Sequence, residues 1–75
     1  MSIRRDDIIV INHRGCQKPA KALENHPPKG GEKSLFVAVE FFDGNIDGIY
    51  IGDIIDNFGL ISKEEFIEQY PEKIL

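Results

Sequence analysis

Leu35-Phe36-Val37-Ala38-Val39-Glu40-Phe41-Phe42, then Asp43-Gly44-Asn45, then Ile46-Asp47-Gly48-Ile49-Tyr50-Ile51-Gly52-Asp53-Ile54-Ile55-Asp56, is the stretch whose reading decides the fold. Two runs rich in β-branched and aromatic residues flank an Asp-Gly pair, the strongest short-range signal for a β-hairpin. Side chains alternate across a strand, so Leu35, Val37, Val39 and Phe41 share one face and Phe36, Ala38, Glu40 and Phe42 the other. Both sets are mostly apolar. The first run is therefore predicted to be a central strand covered on both faces, with Glu40 a carboxylate on an apolar surface. A primed turn is predicted around Asp43-Gly44, with positive φ at Gly44.

Working outward, Ile8-Ile9-Val10-Ile11 is a short apolar run of β-branched residues, which argues for a buried strand. From Gly15 to Ser34 the pattern breaks down among Pro19, Pro27, Pro28, Gly30 and Gly31. Only Ala20–Asn25 favours helix there, one or two turns ended at Asn25-His26-Pro27. On the other side Asp56-Asn57-Phe58-Gly59 is a turn cluster. Ser62-Lys63-Glu64-Glu65 then has the form of a capping box, with Ile61 and Phe66 at the hydrophobic-staple positions. Phe66, Ile67 and Tyr70 form the apolar stripe of the resulting helix, and Pro71 stops it.

Composition bounds the class. Seventy-five residues make one domain, 1–75, near the size where a single core barely outweighs chain entropy. The 41% apolar content, five Phe included, still allows a core. No run approaches the roughly 18 apolar residues of a membrane span. The opening residues lack the apolar stretch and cleavage site of a secretory signal. One cysteine, Cys16, excludes an internal disulfide and fits a reducing cytosol, so the expected location is cytoplasmic. No strong base is placed beside that thiol, and it is read as inert.

The net charge of −4 divides unevenly: residues 1–38 carry +3 and residues 39–75 carry −7. The acidic half repels nucleic-acid phosphates. Lys18, Lys21, Lys29 and Lys33 lie in the Pro/Gly-rich part with no aromatic residue among them to stack on bases. The expected partner is a protein rather than a nucleic acid or a membrane.

Three features bear chemistry. His13-Arg14-Gly15 closes a buried strand, where an imidazole beside a forked guanidinium can bind and protonate phosphate oxygens. The alternative is a strand end where polar residues return to solvent. Glu24-Asn25-His26 offers oxygen and nitrogen ligands to a divalent metal, or a helix end with Asn25 as a left-handed cap. Glu40 and Asp53 are the acidic residues that turn chemistry does not explain.

The order of these features resembles the N-terminal part of the glycerophosphodiester phosphodiesterases. That family opens with a strand ending in His-Arg-Gly, followed by a Glu-Asn segment, a strand with Glu-x-Asp and a hairpin ending in Gly-His-Asp. The resemblance runs from Ile8 to Leu75. It implies His13 as the acid/base and Arg14 as the phosphate clamp. Glu24 and Glu40 would hold a divalent metal such as Ca²⁺ or Mg²⁺, with Asn25 and Asp53 as further binding groups. The chain departs from the pattern at Ala38, where the first acid of Glu-x-Asp would stand, and at Gly52-Asp53, which has no intervening histidine. The family's barrel also needs about 250 residues. The resemblance therefore implies a fragment with an incomplete site that is not catalytic on its own.

The fold expected from all of this is α+β: a small, mainly antiparallel sheet of three to four strands with a C-terminal helix. The same elements suit a small SH3-like barrel, and that supplies the alternative function, a protein- or peptide-binding module. Tyr50 and Phe58 would then form an apolar patch beside acidic groups that attract a basic peptide. A third reading is an acidic inhibitor that fills a basic site on a larger partner.

Overall fold

The computed structural model describes residues 2–28 and 34–74. Strands β1 (Ile8–His13), β2 (Cys16–Ala22), β3 (Phe36–Phe41), β4 (Ile46–Tyr50) and β5 (Ile54–Asn57) form one sheet in the order β4-β3-β2-β1-β5. Every pairing is antiparallel. A 3-10 turn over Ile51–Asp53 joins β4 to β5, and helix α1 (Lys63–Gln69) follows. The architecture is the expected sheet with a C-terminal helix, but with five strands instead of three or four. β4 and β5 lie on opposite edges, yet the chain from Tyr50 to Ile54 reaches at most about 14 Å. A flat sheet of this order would hold its edge strands about 19 Å apart. The sheet must coil to bring its edges towards each other.

The unexpected strand is β2. Ala20–Asn25 does not form helical turns, because Ala20, Lys21 and Ala22 pair with Phe41, Glu40 and Val39 of β3. Pro19 fits the strand without cost to the ladder. In a hairpin closed by a two-residue turn the flanking pair exchanges hydrogen bonds, and alternation puts Val10 and Pro19 in a non-bonded pair. The missing N–H of Pro19 therefore faces the β3 side, where pairing begins only at Ala20. Residues 29–33 of the expected loop lie outside the described residues, and with them Lys29 and Lys33.

Arg14 and Gly15 are that two-residue turn, with φ of 52° and 81°. Positive φ at both central residues is what a type I′ hairpin requires. The primed turn is thus here and not at Asp43-Gly44, where Gly44 alone has positive φ (93°). The β3–β4 connection is Phe42, Asp43, Gly44 and Asn45, with the Gly44 N–H bonded to the Phe41 carbonyl and the Phe41 N–H to the Asn45 carbonyl. Asp43 fastens this loop by accepting from the Asn45 backbone N–H and side-chain amide, both at 3.0 Å.

The strand covered on both faces is β1 instead of β3. Ile8, Ile9, Val10 and Ile11 are all fully buried. Ile9 and Ile11 enter the main core with Ile3, Ala20, Ala22, Val37, Val39, Phe41, Ile49 and Ile54. Ile8 and Val10 face the other way, under Phe66 of α1. Phe66 has no exposed surface, and Phe42, Phe58 and Tyr70 set their rings around it at 5.7, 5.2 and 5.3 Å. Ser62 is the helix N-cap as expected, accepting from the Glu65 N–H at 3.0 Å. Glu65 turns along the helix to accept from Gln69 instead of reaching back. Ile67, expected in the apolar stripe, is exposed. Seven residues of helix cover β1, and they leave the same face of β3 and β4 open.

Candidate functional site

The two halves of the phosphate and metal constellation lie at opposite ends of β2. His13 pairs with Cys16 at its start, whereas Glu24 lies two residues beyond its last residue, Ala22. Seven residues of strand separate them by about 20 Å. Most of these residues also have a local structural partner. The His13 ring leans on Phe41 with centroids 5.2 Å apart. Arg14 is exposed in the turn. The Glu24 carboxylate accepts from the Ala38 N–H at 3.0 Å and prolongs the β2–β3 ladder. The Asn25 side chain accepts from the Arg5 N–H at 2.8 Å, and His26 bridges to Ile3. Glu40 sits opposite Lys21 with 3.8 Å between charged atoms. Asp53 is exposed in the 3-10 turn. Among the described residues no group of three or more His, Cys, Asp or Glu is arranged to hold a metal ion.

The aromatic pair expected at the surface also divides. Phe58 is half-buried between Phe66 and Tyr70, 4.6 Å from the latter ring, and belongs to the packing under α1. Tyr50 is 47% exposed, and its true partner is Phe36, 56% exposed and directly opposite on β3. Their rings meet edge to face with centroids 6.0 Å apart. The Tyr50 ring lies over Gly52, where a Cβ would come within 2.3 Å of it.

Register places further residues on this face. Phe36 opposes Tyr50, Ala38 opposes Gly48 and Glu40 opposes Ile46, so these six side-chain positions form one outward surface. Ile46 is 67% exposed. The alternating pattern predicts Leu35, Phe36 and Ala38 to be covered and gives Ile46 no role; Leu35 and Phe36 are instead exposed. A signal was present: Gly48 lies between Ile46 and Tyr50 on the same face and contributes no side chain to a core.

The segment that carries this surface is acidic. From Val39 to Ser62 the chain has Glu40, Asp43, Asp47, Asp53 and Asp56 and no Lys or Arg. Lys21 reaches Glu40 from β2. The Asn45 backbone N–H lowers the Asp43 carboxyl below its ordinary value, against an opposing effect of desolvation and with further lowering from the Asn45 side-chain amide and Lys18. Beyond Glu40 a groove of about 590 Å³ separates the sheet from the start of α1, lined by Lys21, Phe42, Leu60, Ile61 and Lys63 among others. His13, Arg14 and Glu24 take no part in it. Among the described residues no helix is long and apolar enough to cross a membrane. No family model, curated protein or solved structure matches the chain.

Proposed function

We propose that this chain is a protein-binding module that takes an apolar, basic segment of a partner on the outward face of β3 and β4. The carrying observation is the exposed Phe36–Tyr50 pair, with exposed Ile46 on the same face of β4 beyond Gly48. The acidic segment from Val39 to Ser62 favours a basic ligand and speeds its encounter. The strand order and the 3-10 connection between β4 and β5 resemble those of small SH3-like barrels, which supports the same reading without assigning a ligand. The exposed, unpaired Cys16 is in keeping with a cytoplasmic setting. The phosphodiesterase-like reading draws no comparable support, because its histidine-arginine pair and Glu24 lie at opposite ends of β2.

Selection of displayed random peptides tests the proposal, with the wild-type domain as target and the Phe36→Ser/Tyr50→Ser double variant as counter-target. Peptides enriched on the wild type are expected to carry Lys or Arg among apolar residues and to lose binding to the double variant. Enriched peptides that bind both proteins equally would overturn it, as would a selection that yields none.

A further inference from the structure

The ladder between β3 and β4 determines what β4 presents at its free side. The Phe41 N–H bonds the Asn45 carbonyl and the Ile51 N–H bonds the Leu35 carbonyl, each at 2.8 Å. Alternation between these fixed ends turns the backbone groups of Asp47 and Ile49 towards β3 and those of Ile46, Gly48 and Tyr50 away from it. Among the described residues no strand lies beyond β4. The side chains of Ile46 and Tyr50 stand on the open outer face, and space above Gly48 is vacant, with nothing within 4 Å of where a Cβ would be. An edge with outward backbone groups, two exposed apolar side chains and a hollow between them has the form needed to receive an added strand.

One group stands in the way. The Asp47 carboxylate accepts the Gly48 N–H at 2.8 Å, and this is the central outward donor of the edge. An arriving strand needs that donor, so it must draw Asp47 aside.

We infer that the occupant of this face is an extended basic segment of a partner protein that pairs with β4 as a sixth strand. A Lys or Arg of the segment draws the Asp47 carboxylate off the Gly48 amide and opens the edge. The inference rests on the protein-binding reading above and adds the mode and the gate. A second copy of the chain fits less well, because its β4 would bring another Asp47 and no Lys or Arg to release the first.

The test uses the whole domain and two blocked heptapeptides, one alternating valine with lysine and one alternating valine with glutamate. Amide hydrogen exchange and chemical shifts are followed residue by residue. The lysine peptide should slow exchange at Ile46, Gly48 and Tyr50 and bind at least roughly tenfold tighter than the glutamate peptide, a preference that fades as salt shortens the screening length. Asp47→Asn keeps an acceptor for the Gly48 amide but no charge, and should erase the preference. Gly48→Pro removes an N–H that β3 does not use, so the domain should fold while the lysine peptide no longer binds.

Lysine-peptide binding that leaves those three amides unprotected would overturn strand addition and leave the face reading intact. So would undiminished binding to a folded Gly48→Pro variant. Equal binding of the glutamate peptide would overturn the gate. Binding of neither peptide would overturn the inference, and the peptide selection would judge the face reading separately. Concentration-dependent protection of β4 with no peptide present would identify a second copy as the occupant and overturn it too. The wild-type exchange data decide the matter even if a variant fails to fold.

Discussion

The two edges of this sheet are built in opposite ways. β5 is four residues long and bulged: Val10 pairs with Asp56 and Ile11 with Ile54, which leaves Ile55 extra. Its last residue, Asn57, donates to Asp7 and to the Ser2 carbonyl and accepts from the Gly59 N–H. α1 then closes over the neighbouring strand β1. β4 runs opposite β3 over all of its residues with no register shift, and among the described residues the Asp47 carboxylate is the one group bonded on its outward side. Bulges, short strands and covering elements are the means by which sheet edges avoid unwanted pairing. The β5 edge is short and bulged, whereas β4 relies on charge. A guard made of charge can be removed by the opposite charge. That difference directs attention to β4 as the working side of the domain.

The comparison breaks most visibly where the covered side is held. Phe66→Ala should destabilise the domain by about 3–5 kcal/mol, enough to unfold much of it at room temperature. Denaturant titration checks this, and a loss of under about 1 kcal/mol would mean that α1 does not close that side. Asn57→Ala comes next. It leaves the buried Asp7 carboxylate short of one donor and should cost about 1–3 kcal/mol, read by the same titration.

A smaller effect, with the opposite sign, is expected at the first hairpin. Arg14 occupies a left-handed position that Asn tolerates better, so Arg14→Asn should raise stability by up to about 1 kcal/mol. A clear loss of stability would show that the guanidinium has a partner there. The smallest effect belongs to the bare side. Phe36→Ser and Tyr50→Ser should each change stability by no more than about 0.5 kcal/mol, because these rings are half exposed. The same substitutions should abolish peptide capture. Large stability losses would mean that the face belongs to the core.

How much of this could be read from the sequence differs from segment to segment. Ser62, Ile61, Phe66 and Pro71 specify helix α1 by local rules, and the structure has that helix in place. The long central hairpin is also legible, since alternation and Asp43-Gly44-Asn45 lie within one local stretch. β2 is not. Ala20-Lys21-Ala22-Leu23-Glu24 has helical propensity and Pro19 reads as a breaker, yet pairing with β1 on one side and β3 on the other overrides both. His13-Arg14-Gly15 was open to a chemical reading because nothing nearby announces that Cys16 starts a strand. Once β2 is in place, the tripeptide is the end of β1 and its turn. The twice-covered strand was misplaced for a related reason: an apolar face shows that a strand can be buried, not that a helix of seven residues is long enough to cover it. The exposure of Phe36, Ile46 and Tyr50 follows from that shortfall.

Amide hydrogen exchange on the free domain tests the central claim most directly, because it reads the two sides of the sheet in one experiment. β1 is paired on both sides, so the amides of Ile9 and Ile11 should exchange only through global unfolding. The outward amides of Ile46 and Tyr50 should exchange nearly as fast as in an open chain, with Gly48 slower because Asp47 holds it. This contrast is expected within a single folded protein. Protection of Ile46 and Tyr50 equal to that of Ile9, in a monomer without ligand, would show that the β4 edge is already covered and would contradict it.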